Sequence, residues 1–402
     1  MARTTSTQRR QWRGPAVLSF GFRPLFLLAA LWAAGAMAVW SAMLAGMFTL
    51  PSRFDPVTWH AHEFLLGYLG AVIGGFLLTA VPNWTGRLPV VGWRLGGLCA
   101  LWLVGRLAIA VSAYLPGWGV AGADLIFFVV LAVVILREIV AGRNWRNLPV
   151  LILLTLLILS NALFHLDAGQ GGYAAGGIGL RLGLATVLVL IVLIGGRIIP
   201  SFTRNWLVKR GATALPTPPM QRFDKAAIGL TVAVLIGWCV APGHPLAGVG
   251  LLILSVVHLV RFARWRAERT LVEPLVWILH VAYACIPLGA LAMGLAILVP
   301  SFISQASALH VWTVGAIGLM TVAVMTRATK GHVGRPLVAG RPTVAIYLVL
   351  IGSVISRPAA DLVPQMRDVF LTVSATLWIA CFAGFVVVYG PMLLRTKQEP
   401  AS

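Results

Sequence analysis

The chain has 402 residues, of which 59% are hydrophobic and 10% charged, with a mean hydropathy of +0.91. That balance excludes a soluble globular protein, in which about a quarter of the residues carry charge. The formal net charge of +20 is spread over many short polar segments, which argues for membrane topology and against nucleic acid as a partner.

Apolar runs of about 17–25 residues, enough to cross about 30 Å of hydrocarbon as a helix, recur at 23–48, 57–81, 92–114, 118–139, 148–166, 178–199, 226–242, 245–262, 274–298, 307–327, 341–356 and 369–393. Twelve spans of an all-α integral membrane protein are expected, forming one polytopic domain over 1–402 with no room for a soluble one. The basic stretch before the first run (Arg3, Arg9, Arg10, Arg13) reads as a cytoplasmic flank, not a cleavable signal. With the N-terminus inside, every Lys and Arg falls inside except Arg53, Arg357 and Arg367, which fall outside, and Arg106 and Arg181, which lie within spans. This bias puts both termini in the cytoplasm. Cys99, Cys239, Cys285 and Cys381 stand singly in apolar runs and read as small hydrophobes.

Span one opens on Phe20-Gly21-Phe22-Arg23-Pro24, where Arg23 is expected to snorkel to the headgroups. Span two opens outside on Trp59-His60-Ala61-His62-Glu63 and runs to Pro82-Asn83-Trp84-Thr85-Gly86-Arg87. Ionisable side chains within a span are costly and tend to be functional, so these residues are candidate ligands for a metal or heme. Arg106 and Asp124, on spans three and four, reach similar depth from one outer hairpin and are expected to neutralise each other. Span five ends outside at Asn161-Ala162-Leu163-Phe164-His165, and span six closes inside on Gly195-Gly196-Arg197-Ile198-Ile199-Pro200-Ser201-Phe202-Thr203-Arg204. His258 and His280 lie near the inside on spans eight and nine, as a weaker second metal site; His332 reads as solvated in a basic loop. His310 lies one turn into span ten from outside. Trp59, Trp84 and Trp206 mark span ends and read as interface residues.

Shifting the chain by 248 residues places His62 on His310, Gly67 on Gly315, Gly70 on Gly318, Gly86 on Gly334 and Arg87 on Arg335. The shift equals eight spans and suits three units of four helices. That arrangement resembles subunit I of the heme-copper oxidases, where the helices corresponding to spans two and ten hold a heme between histidines; the resemblance is at fold level only. The oxidase-type copper histidines on spans six and seven are missing here.

A neutral imidazole ligates iron or copper through one nitrogen, while the other needs a hydrogen-bond partner. His60 and His62 point about 200° apart on a helix, so one is expected to meet His310 and the other His165. Glu63 shares the face of His60 and is placed to support a ligand or donate a proton.

The segments GFRPLFLL, WHAHEFLLGYLGAVIGGFLLTAVPNWTGR, GGRIIPSFTRNWL and HVWTVGAIGLMTVAVMTRATKGHVGR resemble, in order and over nearly the whole chain, the signature blocks of the NnrS family. The resemblance implies a multi-pass protein of the bacterial inner membrane that contains heme b and copper and serves the response to nitric oxide in denitrifying and pathogenic bacteria. It leaves open which histidine holds which metal.

The leading expectation is therefore a heme or metal protein of nitric oxide tolerance. It would bind or turn over nitric oxide near the periplasmic face, with His60, His62, His165 and His310 as ligands and Glu63 as the acid-base group. Turnover would make it an oxidoreductase and would require an external electron donor, because no C-x-x-C-H heme attachment motif is present. The alternative is a secondary transporter or a metal or heme exporter whose histidines hold cargo transiently.

Overall fold

The computed structural model describes residues 12–85 and 90–395, with backbone only for 82–85. Twelve helices in it are long and apolar enough to cross a membrane: α1 (Phe22–Leu44), α2 (Pro56–Val81), α3 (Trp93–Ala110), α4 (Gly117–Ala141), α5 (Trp145–Gly169), α6 (Ile178–Val208), α7 (Arg222–Val240), α8 (Pro245–Arg269), α9 (Pro274–Leu298), α10 (Gln305–Val333), α11 (Arg341–Leu362) and α12 (Pro364–Leu394). Each expected span falls on one of them, and no strand occurs among the described residues. The chain is a multi-pass, all-α membrane protein.

Helix starts follow local chemistry. The Asp55 carboxylate accepts from Val57 N at 2.9 Å and Thr58 N at 3.1 Å, and Pro56 takes a first-turn position that needs no amide proton. α10 starts in the same way on Ser304, whose hydroxyl accepts from Ser307 N. α6 runs past its expected inner end, continuing through Pro200 to Val208, because a proline inside a membrane helix is tolerated where neighbours satisfy the freed carbonyl. α8 and α10 also run on, to Arg269 and Val333.

Packing divides the chain into two compact units. The first is Met1–Gly183 with Ala328–Arg335 and Phe382–Ser402; the second is Leu184–Arg327 with Pro336–Cys381. In the first unit α2 and α4 approach closely at glycines: a methyl on Gly70 would lie 2.6 Å from Phe128, and one on Gly74 3.0 Å from Phe127. Asp124 lies one turn before these phenylalanines, so the same approach carries its carboxylate against α2.

Within this unit three expectations are corrected. Arg23 is 2% exposed and donates from Nη1 to the carbonyls of Leu393 at 3.1 Å and Arg395 at 2.8 Å. The last-turn carbonyls of α12 lack partners within their helix and attract a cation, and they hold the guanidinium away from the headgroups. Trp59, also 2% exposed, belongs to a core cluster with Ala36, Met43, Ile109 and Val120; its helix starts a full turn earlier, at Asp55, which carries the indole inward. His332 is helical and half-buried, its ring 5.3 Å from Phe20 and 5.4 Å from Phe22. Trp206, in the second unit, is half-buried with Arg210 4.4 Å above its ring. Trp84 lies outside the described side chains, and Gly86, Arg87, Arg3, Arg9, Arg10 and Lys397 lie outside the described residues.

Two segments are wound as π-helix, Glu63–Tyr68 in α2 and Val311–Leu319 in α10. Each begins one residue after a histidine, His62 and His310, so the pair falls at the same 248-residue spacing as the sequence repeat. Such wide turns cost helix regularity and are found mostly where function demands an altered side-chain direction.

Candidate metal centre

Four helices of the first unit bring ionisable side chains to one buried point. The path begins at His62 on α2, whose side chain is fully buried. Its Nδ1 lies 3.0 Å from Glu63 Oε1, and its Nε2 lies 3.0 Å from Asp124 Oδ2 on α4 and 3.3 Å from Asn161 Oδ1 on α5. Asp124 Oδ2 also accepts from Asn161 Nδ2 at 2.8 Å and from His165 Nε2 at 3.1 Å. Arg106 on α3 closes the set, donating to Glu63 Oε1 at 2.7 Å and, in a short contact, to Asp124 Oδ1. Arg106 and Asp124 thus form the expected pair, but as part of a larger constellation.

Local structure explains the convergence. Asn161 and His165 are four apart on α5 and share a face. α5 is held close by Ser160, whose hydroxyl donates to Gly179 O at 2.8 Å. On α2 the π turn beginning at Glu63 rotates its carboxylate to the side of His62 and Arg106. Trp102 Nε1 donates to Gly67 O within that turn at 2.9 Å. Gly67 is required there: a methyl on it would lie 2.7 Å from Arg106 Nη1, 2.8 Å from Glu63 Oε2 and 3.1 Å from Trp32 Nε1.

Hydrogen-bond accounting constrains the chemistry. Ionised carboxylates only accept, and a neutral imidazole donates from one nitrogen, yet both nitrogens of His62 face oxygens. The set therefore holds one proton beyond two carboxylates, a guanidinium and a neutral ring, and with that proton its charges sum to zero. A metal cation at Nε2 would displace that proton; a monovalent ion such as Cu(I) would leave the set neutral, and a divalent one would leave it at +1.

The donors suit a cation. His62, Asp124 and His165 offer ligand atoms that all lie within 4.8 Å of one another, and among the described residues this is the one such group of three or more His, Cys, Asp or Glu. Separations of 3.0 and 3.1 Å are close to the span of about 3.0–3.4 Å between two bonds of about 2.1 Å at octahedral to tetrahedral angles. Two imidazoles and a carboxylate are ligands for copper, zinc or non-heme iron. A porphyrin does not fit at the same point: His62 Nε2 is shared by Asp124 and Asn161, and the rings of Phe54 and Phe164 stand 5.5 and 5.2 Å from the His62 ring.

The remaining histidines have other surroundings. His60 stacks on Trp40 at 4.2 Å and lies 4.5 Å from Phe64. In the second unit His310 Nδ1 donates to Ala306 O at 2.6 Å, which fixes the tautomer whose Nε2 carries the lone pair. His258 lies between Tyr283 OH at 2.8 Å and Thr231 Oγ1 at 2.9 Å, and His280 Nε2 is 2.8 Å from Thr203 Oγ1. Thr231 gives its proton to Ala227 O, so His258 donates from Nε2 to Thr231 and accepts from Tyr283. Arg261 completes this network, donating to Tyr283 OH, Asp224 and Val192 O.

The NnrS protein family model matches residues 16–397. The chain belongs to the NnrS family. No curated protein matches it. Membership of the NnrS family links the chain to the response to nitric oxide and to metal or heme binding. The family's block WHAHEFLLGYLG contains His62, Glu63 and Gly67 of the buried centre. Arg106, Asp124 and Asn161 lie outside the blocks that carried the resemblance. For Asn161 a signal existed, its i, i+4 relation to His165, since two polar side chains on one face of an apolar helix share an environment.

Proposed function

We propose that this NnrS-family protein is a metalloprotein of the bacterial inner membrane that binds nitric oxide at a centre held by His62, Asp124 and His165. The observation that supports it is the convergence of two imidazoles and a carboxylate at one largely buried point. The donor set favours copper or non-heme iron, and either metal, when bound, supplies the position at which nitric oxide attaches and an electron can pass. Glu63 and Asn161 orient the His62 ring, and Arg106 donates to both carboxylates and holds them in place. A heme b iron, if present, would be held by His310, whose Nδ1 donates to Ala306 O and leaves Nε2 as the nitrogen that would ligate it. His60 is placed as an aromatic neighbour of Trp40 and Phe64, and His258 and His280 as members of hydrogen-bonded networks.

The positive-inside bias sets the termini in the cytoplasm. The centre lies toward the external face, since α2 and α4 begin, and α5 ends, within about two turns of it. Nitric oxide is small and uncharged and reaches such a depth from lipid. Reduction of it would draw electrons from an external donor.

The experiment is metal analysis and an optical spectrum of the protein purified in mild detergent, with His62→Ala, His165→Ala and His310→Ala beside it. The reading expects the first two variants to lose a non-heme metal and the third to lose a Soret band. A colourless, metal-free protein that still confers nitric oxide tolerance would instead support the transporter alternative.

A further inference from the structure

One aromatic ring from a loop packs against the buried centre. Phe54 belongs to the loop between α1 and α2, and its ring lies 5.5 Å from His62, 5.9 Å from His165 and 5.8 Å from Phe164. It therefore touches both imidazoles of the candidate ligand set and the aromatic ring beside them. His62 is fully buried and the His165 side chain is 9% exposed, and Phe54 packs against both rings.

The loop that carries Phe54 is fastened to the loop between α3 and α4. Ala113 N donates to Pro51 O at 3.0 Å, Arg53 N donates to Ser112 Oγ at 2.9 Å, and the hydroxyls of Ser52 and Ser112 are 3.2 Å apart. Phe54 N donates to Ser52 Oγ at 3.2 Å, and the next residue, Asp55, is locked into the start of α2. Ser112 is itself 1% exposed. A side chain placed by so many bonds is a fixed feature and not a loose flap.

We propose that Phe54 is a permanent apolar cover that sets the ligand specificity of the centre. It admits small uncharged molecules, which lose little on leaving water, and turns away hydrated anions and chelators, which would shed their solvation against a phenyl ring. The specificity part rests on the reading of His62, Asp124 and His165 as a metal centre; the cover itself does not.

The test uses the full chain in mild detergent, as wild type, Phe54→Ala, Phe54→Val and Phe54→Leu. Diethylpyrocarbonate modification is followed by mass spectrometry at each histidine, with exposed His244 as the internal reference and fully buried His258 as the report of global loosening. In wild type His165 reacts far more slowly than His244; Phe54→Ala raises its rate by about tenfold relative to His244, Phe54→Val by less, and Phe54→Leu hardly at all. An unchanged His165 rate in Phe54→Ala, or a wild-type His165 as reactive as His244, overturns the cover. Where His258 becomes reactive in Phe54→Ala, Phe54→Val decides: a raised His165 rate supports the cover and a wild-type rate refutes it.

In the metal-loaded protein, Phe54→Ala gains azide binding by about tenfold while nitric oxide binding changes little; equal azide binding in both proteins overturns the specificity. A preparation that holds no metal refutes the metal-centre reading and its specificity alone, since His165 protection is measured without it.

Discussion

Replacing Asp124 with alanine removes the acceptor on which four donors converge: Arg106, His62, Asn161 and His165. Breaking a buried ion pair by deleting one partner costs about 3–5 kcal/mol, because the other charge stays buried without compensation. Here Glu63 still accepts from Arg106 and from His62, so the lower half of that range, about 3–4 kcal/mol, is expected. Asp124→Asn keeps an oxygen acceptor but not the charge, and its cost should be about 1–3 kcal/mol. Asp368→Ala, at an exposed position on α12, serves as the control and should change stability by less than about 0.5 kcal/mol. Unfolding in mixed micelles titrated with sodium dodecyl sulfate and followed by tryptophan fluorescence measures all three. An Asp124→Ala variant within about 1 kcal/mol of wild type would refute the convergence, since no set of buried donors loses its shared acceptor so cheaply.

The same assay checks the packing around the centre. Gly67→Ala pushes a methyl against Arg106, Glu63 and Trp32 and should cost about 1–3 kcal/mol; Gly35→Ala on α1, with nothing within 4 Å, should be neutral or stabilising. Thr231→Val leaves His258 Nε2–H without its acceptor and should destabilise by about 1–3 kcal/mol, with no change in the metal content of the His62 centre. Arg23→Met frees the carbonyls of Leu393 and Arg395, and hydrogen exchange should quicken by about thirtyfold over the last turn of α12, two hydrogen bonds at about 1 kcal/mol each being lost.

Membrane spans were legible because hydrocarbon demands about twenty apolar residues in a row, and starts such as Asp55-Pro56 announce themselves locally. His62 stood out because an ionisable group inside a span is expensive. Arg106 and Asp124 were paired correctly from equal depth on one hairpin, but hairpin arithmetic is blind to a third helix, and so missed that His62 and Asn161 share the carboxylate. The π turns left no trace in residue preference, since a widened turn depends on what the freed carbonyl finds, in α2 the indole of Trp102. Phe54 carries no periodicity, being a loop residue whose role comes from the two loops meeting. Arg23, Trp59 and His332 differ from expectation for one reason: position near a span end suggests exposure, whereas burial is decided by α12, by the Asp55 cap, and by Phe20 and Phe22.

X-ray absorption spectroscopy of the purified protein, taken with metal content on wild type and His165→Ala, tests the central claim most directly. The account expects close to one non-heme metal per chain, with two imidazole nitrogens and a carboxylate oxygen in its coordination sphere, and expects His165→Ala to lose that metal or one imidazole of its shell. A wild-type protein with no non-heme metal, or a coordination shell left unchanged by His165→Ala, would contradict it.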